Sequence, residues 1–115
     1  MTPPVTTDIV QPFYKGEKPL VALTPGIQGQ GGLLRAGQSI ASVVWNPEAP
    51  MTIVGGTSAI VTTSQTDDTT QVQIDLSDSG ITDGQRMTLE AVWTLQNPAE
   101  VRSGYMVIQI KKKPA

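Results

Sequence analysis

Apolar residues take every second position of Met87-Thr88-Leu89-Glu90-Ala91-Val92-Trp93-Thr94-Leu95. The same spacing recurs in Val72-Gln73-Ile74-Asp75-Leu76 and in Met106-Val107-Ile108-Gln109-Ile110. Successive side chains of a β-strand point to opposite faces of a sheet, so this alternation predicts strands with one face on a core and the other in solvent. Three such strands in close succession, with polar turns between them, predict an all-β domain.

Shorter apolar stretches extend this pattern toward the N-terminus, and turn-forming pairs such as Asp83-Gly84 and Asn97-Pro98 separate the strands. A spacing of about ten residues between strands is typical of a β-sandwich. We predict one sandwich domain of about seven strands over residues 16–115, with a polar turn over residues 64–69. The predicted strands lie near residues 19–23, 38–45, 51–54, 59–63, 70–76, 85–96 and 101–111.

Residues 1–15 are predicted to form an extended arm, because Pro3-Pro4 and Pro12 forbid a continuous helix. Adjacent residues of a strand point opposite ways, so Phe13 or Tyr14 would be exposed unless a partner covers it. The glycine-rich residues 26–32 predict a loop, which either lies on the surface or folds onto a neighbouring subunit.

The composition limits the chemistry that the chain can perform. Its 115 residues include no histidine and no cysteine, which excludes Ser-His-Asp and Cys-His arrangements, thiolate metal sites and disulfides. We therefore predict a protein that is not an enzyme and that uses no cofactor and no metal. The net charge of −2 does not favour nucleic acid, and no apolar run reaches the ~20 residues of a membrane span.

Several charged residues allow either a structural or a functional interpretation. The aspartates at 75, 78 and 83 are typical of turn capping, and a bound ion is the alternative. Glu90 and Asp75 fall opposite their strands' apolar series, so a solvent-facing position is expected for both. The run Lys111-Lys112-Lys113 either protects a strand edge or contacts an acidic partner.

The two tryptophans differ in their sequence context. Trp93 shares the parity of the apolar series and is expected in the core. Trp45 follows both Val43 and Val44, which hides its face, so core and interface positions both stay open for it.

From Ala36 onward the chain contains a recognisable order of segments: Ile40-Ala41-Ser42-Val43-Val44-Trp45-Asn46-Pro47, 57–63, 72–76, 80–84, 86–96, Arg102-Ser103-Gly104-Tyr105 and 106–110. In this order the chain resembles small proteins of tailed bacteriophages of the fibre–tail adaptor or head accessory (decoration) type. The chain departs from the family pattern at Asp78-Ser79-Gly80, where a double glycine is usual, and at Met87, where an aromatic is common.

The resemblance implies an immunoglobulin-like, antiparallel β-sandwich and a structural role in the virion, assembled in the host bacterial cytoplasm. Its partners would be capsid or head–tail/fibre proteins, in a homo-oligomeric or many-copy arrangement. A carbohydrate- or surface-binding module is the alternative, and solvent exposure of Trp45 beside Tyr105 would favour it. The candidate partner-binding residues are Val5, Ile9, Val10, Phe13, Tyr14, Ile27, Lys111, Lys112 and Lys113.

Overall fold

The computed structural model describes residues 9–25, 38–63 and 66–112, and this part of the chain contains eight strands and no helix. No helix in the described residues is therefore long and apolar enough to cross a membrane. The strands are β1 (Ile9–Phe13), β2 (Leu20–Leu23), β3 (Ser39–Pro47), β4 (Thr52–Ile53), β5 (Ala59–Thr63), β6 (Thr66–Asp75), β7 (Arg86–Gln96) and β8 (Glu100–Ile110).

The strands form two sheets, which we call the front and back sheets. The front sheet has the order β1-β8-β7-β3. In the back sheet β6 is central, with β2 on one side and β4 and β5 pairing with its other parts. The predicted two-sheet β-sandwich is thus confirmed. Its order is compatible with the immunoglobulin type, in which strands B, E and D face strands C, F and G.

The core lies between the two sheets and is made by the alternating residues of β6, β7 and β8. Met87, Leu89, Ala91, Trp93 and Leu95 are all buried, as their parity predicts. Their inward neighbours complete one continuous cluster: Val21, Leu23, Ile40, Met51, Val72, Ile74, Leu76, Ile81, Met106, Ile108 and Ile110.

A polar network crosses this core. The buried Trp93 indole N–H donates to Thr70 Oγ1 (2.9 Å), and that hydroxyl donates to the Leu23 carbonyl (2.8 Å). Buried polar groups need such partners, because an unpaired donor costs free energy when it leaves water. The network therefore ties β7 of the front sheet to β6 and β2 of the back sheet.

The expected boundary between an arm and a sandwich at residue 15 needs correction. Residues 9–13 form β1, which pairs in parallel with β8, from Ile9 opposite Met106 to Phe13 opposite Ile110. The Lys111 N–H donates to the Phe13 carbonyl (2.9 Å), which places the backbone of Pro12 on the free edge of the sheet. Proline lacks only an N–H that this edge position leaves unused, so Pro12 is compatible with the strand.

The expected polar turn over residues 64–69 also needs correction, because β6 begins at Thr66. Polar residues continue the strand there because β5 pairs with them, with an irregularity between Val61 and Thr62.

The acidic turn that follows β6 is capped by its own side chains. The carboxylate of Asp75 accepts the Ser77 N–H (2.9 Å), and that of Asp78 accepts the Gly80 N–H (2.7 Å).

Candidate interaction surface

Exposed apolar side chains are concentrated on one surface of the sandwich, the outward side of the front sheet. We call this surface the front face and define it by its apolar members Val10, Val44, Val92, Val101, Tyr105 and Val107. Among the described residues, five large apolar side chains are the most exposed, and four of them belong to the front face: Val10 at 42%, Val44 at 58%, Val101 at 67% and Tyr105 at 39%. The fifth, Leu20, projects from the back sheet.

The register of the strands makes these side chains neighbours. Val44 lies opposite Val92, and Val92 lies opposite Ser103, which Val101 and Tyr105 flank at two residues' distance on β8. Directly opposed and diagonal side chains on one face of a sheet are close enough to touch. Toward β1 the series continues, because Val107 follows Tyr105 on the same face and lies opposite Val10. The front face therefore carries one continuous apolar diagonal across four strands.

The charged groups beside this diagonal are held by neighbouring amides. Asn46 Nδ2 donates to Glu90 Oε1 (3.0 Å), and Arg86 Nε donates to Gln109 Oε1 (2.6 Å). Within the four strands, the described outward positions carry one carboxylate and one guanidinium, so the charges on the strands themselves balance. A nearly neutral face of this kind fits an apolar or mixed protein surface better than a strongly charged one.

The outward side of the back sheet is polar by comparison. Its central strand presents Gln71, Gln73 and Asp75, and Gln73 Nε2 donates to the Lys18 carbonyl (2.8 Å). Lys18 Nζ also lies 3.8 Å from Asp75 Oδ2. Leu20 is the exposed apolar residue here, so the two outer surfaces of the sandwich differ in character.

Three of the predicted partner-binding residues come together where β1 and β8 end. The Phe13 side chain is partly buried against the core, and the half-buried Tyr14 ring carries Lys111 Nζ at 4.1 Å from its centroid. Val10 is on the front face, and Lys112 is exposed. The core thus covers part of Phe13 and Lys111 covers part of the Tyr14 ring, and the role of both residues in binding a partner stays a prediction.

Four of the predicted partner-binding residues fall outside the described side chains. Val5, Ile27 and Lys113 lie outside the described residues, and for Ile9 only the backbone position in β1 is described. Their role in binding a partner stays a prediction.

The hypothesis of a carbohydrate- or surface-binding module depends on Trp45 lying beside Tyr105, but the two side chains point in opposite directions. Trp45 lies opposite the buried Ala91, packs against the core and donates its indole N–H to Ser58 Oγ (2.9 Å). Tyr105 lies opposite Glu90, the next residue of β7, and neighbouring residues of a strand face opposite sides. The two rings therefore do not form a shared aromatic platform.

Two of the three turn aspartates, Asp75 and Asp78, cap backbone N–H groups in this structure. The Ser77 hydroxyl and then its backbone N–H hold the pKa of Asp75 below its ordinary value; desolvation opposes this effect and the charge of Lys18 adds to it. In the described ranges no three side chains of histidine, cysteine, aspartate or glutamate come together as a metal site would require. Glu90 and Asp75 are half-buried on the outward sides of different sheets.

Sequence reasoning identified Val10 but missed Val44, Val101 and Tyr105. A usable signal was present for two of them. Val101 and Tyr105 are large apolar residues at outward positions of β8, where the alternation of the buried Met106-Ile108-Ile110 series predicts polar side chains. An apolar residue at an outward position is the expected mark of a surface that meets something other than water.

Comparisons of the chain with protein-family models, curated proteins and solved structures give no match. The relation to tailed-phage proteins accordingly stays a prediction from the sequence.

Proposed function

We propose that the chain is a non-enzymatic structural accessory protein of a tailed-phage virion, bound in many copies to the capsid or to the head–tail/fibre junction as a decoration or adaptor protein. The family resemblance of the sequence suggests this setting. The observation that carries the proposal is the continuous apolar diagonal on the front face, because an exposed apolar patch on a stable sandwich marks a protein-binding surface.

The size of the front face supports this role. β7 and β8 have eleven residues each, so the sheet is roughly 35 Å long and, with four strands, roughly 15–19 Å wide. The outline is at most roughly 500–650 Å², because β1 and β3 are shorter, which is the larger part of the ~800 Å² that each partner of a standard protein interface buries. Multiple attachment of copies to one particle would strengthen weak individual contacts through effective concentration.

The carbohydrate- or surface-binding module remains the alternative, with less support. It calls for exposed aromatic rings that a sugar can stack on, and the described residues offer Tyr105 alone on the front face while Trp45 faces the other way. No specific observation favours that reading over a protein partner.

Binding to virion parts tests the proposal. The purified chain would be sedimented with heads and with tails of the phage that encodes it, next to a Val101→Lys/Tyr105→Lys variant. Leu20→Lys is the matched control, because Leu20 is as exposed as Val101 but lies on the back sheet. We expect the wild type and the control to bind one of the two fractions and the double variant to lose at least about tenfold in affinity. Absence of binding to both fractions would contradict the proposal.

A further inference from the structure

We propose that a second copy of this chain extends the front sheet along the free edge of β3, related to the first by a two-fold axis at Val44. This inference goes beyond the proposed function, because it concerns the contact between copies and holds whether or not the partner is a virion. It follows from the hydrogen-bond pattern of β3, from the features that bound the edge and from the residues between them.

The pattern of the ladder shows which backbone groups of β3 face outward. The Glu48 N–H donates to the Thr88 carbonyl (2.9 Å) and the Thr88 N–H donates to Glu48 Oε1 (2.8 Å), so residues 48 and 88 lie at the position of a hydrogen-bonded pair. Such pairs alternate along an antiparallel ladder. Val44 therefore bonds to Val92 of β7, whereas Val43 and Trp45 direct their N–H and C=O groups to the free edge. No described residue outside the strand makes a backbone hydrogen bond to Val43 or Trp45.

Two irregular positions bound the free part of this edge. On one side the register shifts between Ile40 and Ser42, which leaves Ala41 as the extra residue. On the other side Pro47 has no N–H to donate. The usable edge is thus the segment 42–46, and its centre is Val44.

Antiparallel pairing of this segment with itself satisfies every free group. When Val44 lies opposite Val44 of the second copy, Val43 lies opposite Trp45 of the second copy, and the converse pair follows by symmetry. The two pairs exchange four backbone hydrogen bonds. Ala41 then lies opposite Pro47 of the second copy at both ends, so the interruptions coincide instead of colliding with bonded positions.

The side chains are compatible with this pairing. Natural edge strands are commonly protected from pairing by charged residues, and β3 contains none. In the proposed register Ser42 lies opposite Asn46 of the second copy, so two polar side chains meet there. The inward residues Val43 and Trp45 are only half-buried, in contrast to the fully buried inward residues of β7. A second copy would cover the side of both residues that the sandwich leaves open.

Two of the other edges are less suitable. β1 presents Pro12 at an edge-facing position, and β2 has only four residues and lies between two prolines. Edge pairing through five residues buries less than a standard interface, so we expect a weak dimer with a dissociation constant in the high micromolar to millimolar range. A crowded assembly would raise its occupancy through effective concentration.

A charge-exchange experiment tests the two-fold axis directly. In Val44→Lys and in Val44→Glu, two like-charged side chains would start from Cβ atoms about 5 Å apart at the axis, and we expect each variant alone to dimerise about tenfold more weakly than the wild type. An equimolar mixture of the two should regain dimers by sedimentation equilibrium. Val101→Lys is the matched control, because Val101 is equally exposed on the same face but lies on β8, and its dimerisation should equal that of the wild type.

A cross-linking variant gives an independent measurement. The chain has no cysteine, and Val44→Cys would place two thiols across a non-hydrogen-bonded pair, where Cα atoms are about 4.5 Å apart and a disulfide fits. We expect Val44→Cys to oxidise to a covalent dimer much faster than Val101→Cys. Three results would each overturn the proposal: equal oxidation rates, an equimolar mixture that stays monomeric, or a wild type that is monomeric at about 1 mM. The last result would indicate that the β3 edge pairs with a strand of another protein.

Discussion

Replacing Thr70 by valine tests the polar network that joins the two sheets. Valine has nearly the same shape, so no cavity forms, but the buried Trp93 N–H loses its acceptor at 2.9 Å. The Leu23 carbonyl keeps a backbone partner, because the Ile74–Pro19 bond of the same ladder places Leu23 and Thr70 in a hydrogen-bonded pair. The expected loss is the desolvation cost of one buried donor, about 1–3 kcal/mol of the free energy of unfolding.

A loss of that size is measurable, because a domain of this length has a total stability of about 5–15 kcal/mol. Urea unfolding followed by tryptophan fluorescence gives the difference. Thr94→Val is the matched control, since Thr94 is exposed on β7 next to Trp93, and we expect it to stay within about 0.5 kcal/mol of the wild type.

A double-mutant cycle isolates the hydrogen bond itself. In a Trp93→Phe background there is no indole N–H to leave unpaired, so Thr70→Val should cost clearly less there than in the wild type. An equal cost in both backgrounds, or a cost no larger than that of Thr94→Val, would refute the assigned role of the network.

Two further predictions concern the turns. Because the folded-state pKa of Asp75 is lowered, its hydrogen bonds stabilise the fold above the ordinary pKa of 3.8 and are lost as the pH falls through the folded-state value. The difference in urea midpoint between the wild type and Ser77→Ala should therefore shrink in acid below pH 3.8, and a difference that grows there would be inconsistent with this account. Gly56 has φ +77° and Gly55 does not share this conformation, while an added Cβ meets open space at both. Gly56→Ala should accordingly cost about 1–2 kcal/mol in thermal or urea unfolding and Gly55→Ala almost nothing, and equal costs would rule out backbone strain as the cause.

Much of the sandwich follows from the sequence because β6, β7 and β8 face solvent on one side and core on the other. Their alternation of apolar and polar residues is therefore visible in the sequence. Parity alone predicts that Trp93 lies in the core, and the structure confirms it. β3 is harder to read, because the extra residue at Ala41 shifts the parity between Ile40 and Val43, both of which face inward. The inward position of Trp45 could not be assigned for that reason.

The strand β1 was missed for a different physical reason. Its proline and its short apolar pattern are typical of an arm, and only the parallel register with β8 shows that Pro12 lies where no N–H is needed. The position of β1 within the front sheet also decides which variants can test binding. Deleting residues 1–15 would remove a strand of the front sheet and the partly buried Phe13, so it would disturb folding and binding together. Point substitutions on the front face separate the two.

The front face could be predicted only in part. Val101 and Tyr105 break the alternation of β8, but that irregularity alone does not say that they are neighbours of Val44 and Val92. Their adjacency depends on the register across three strands, which turn lengths and the irregularity in β3 set together.

Protection of single cysteines on the bound particle tests the use of the front face most directly. Val101→Cys and Leu20→Cys each give one thiol of similar exposure on opposite sheets of a chain that has no other cysteine. On particles carrying the bound chain, we predict at least about tenfold slower maleimide labelling at position 101 than in the free protein, with little change at position 20. Labelling that stays fast at position 101, or that slows only at position 20, would show that the partner meets another surface.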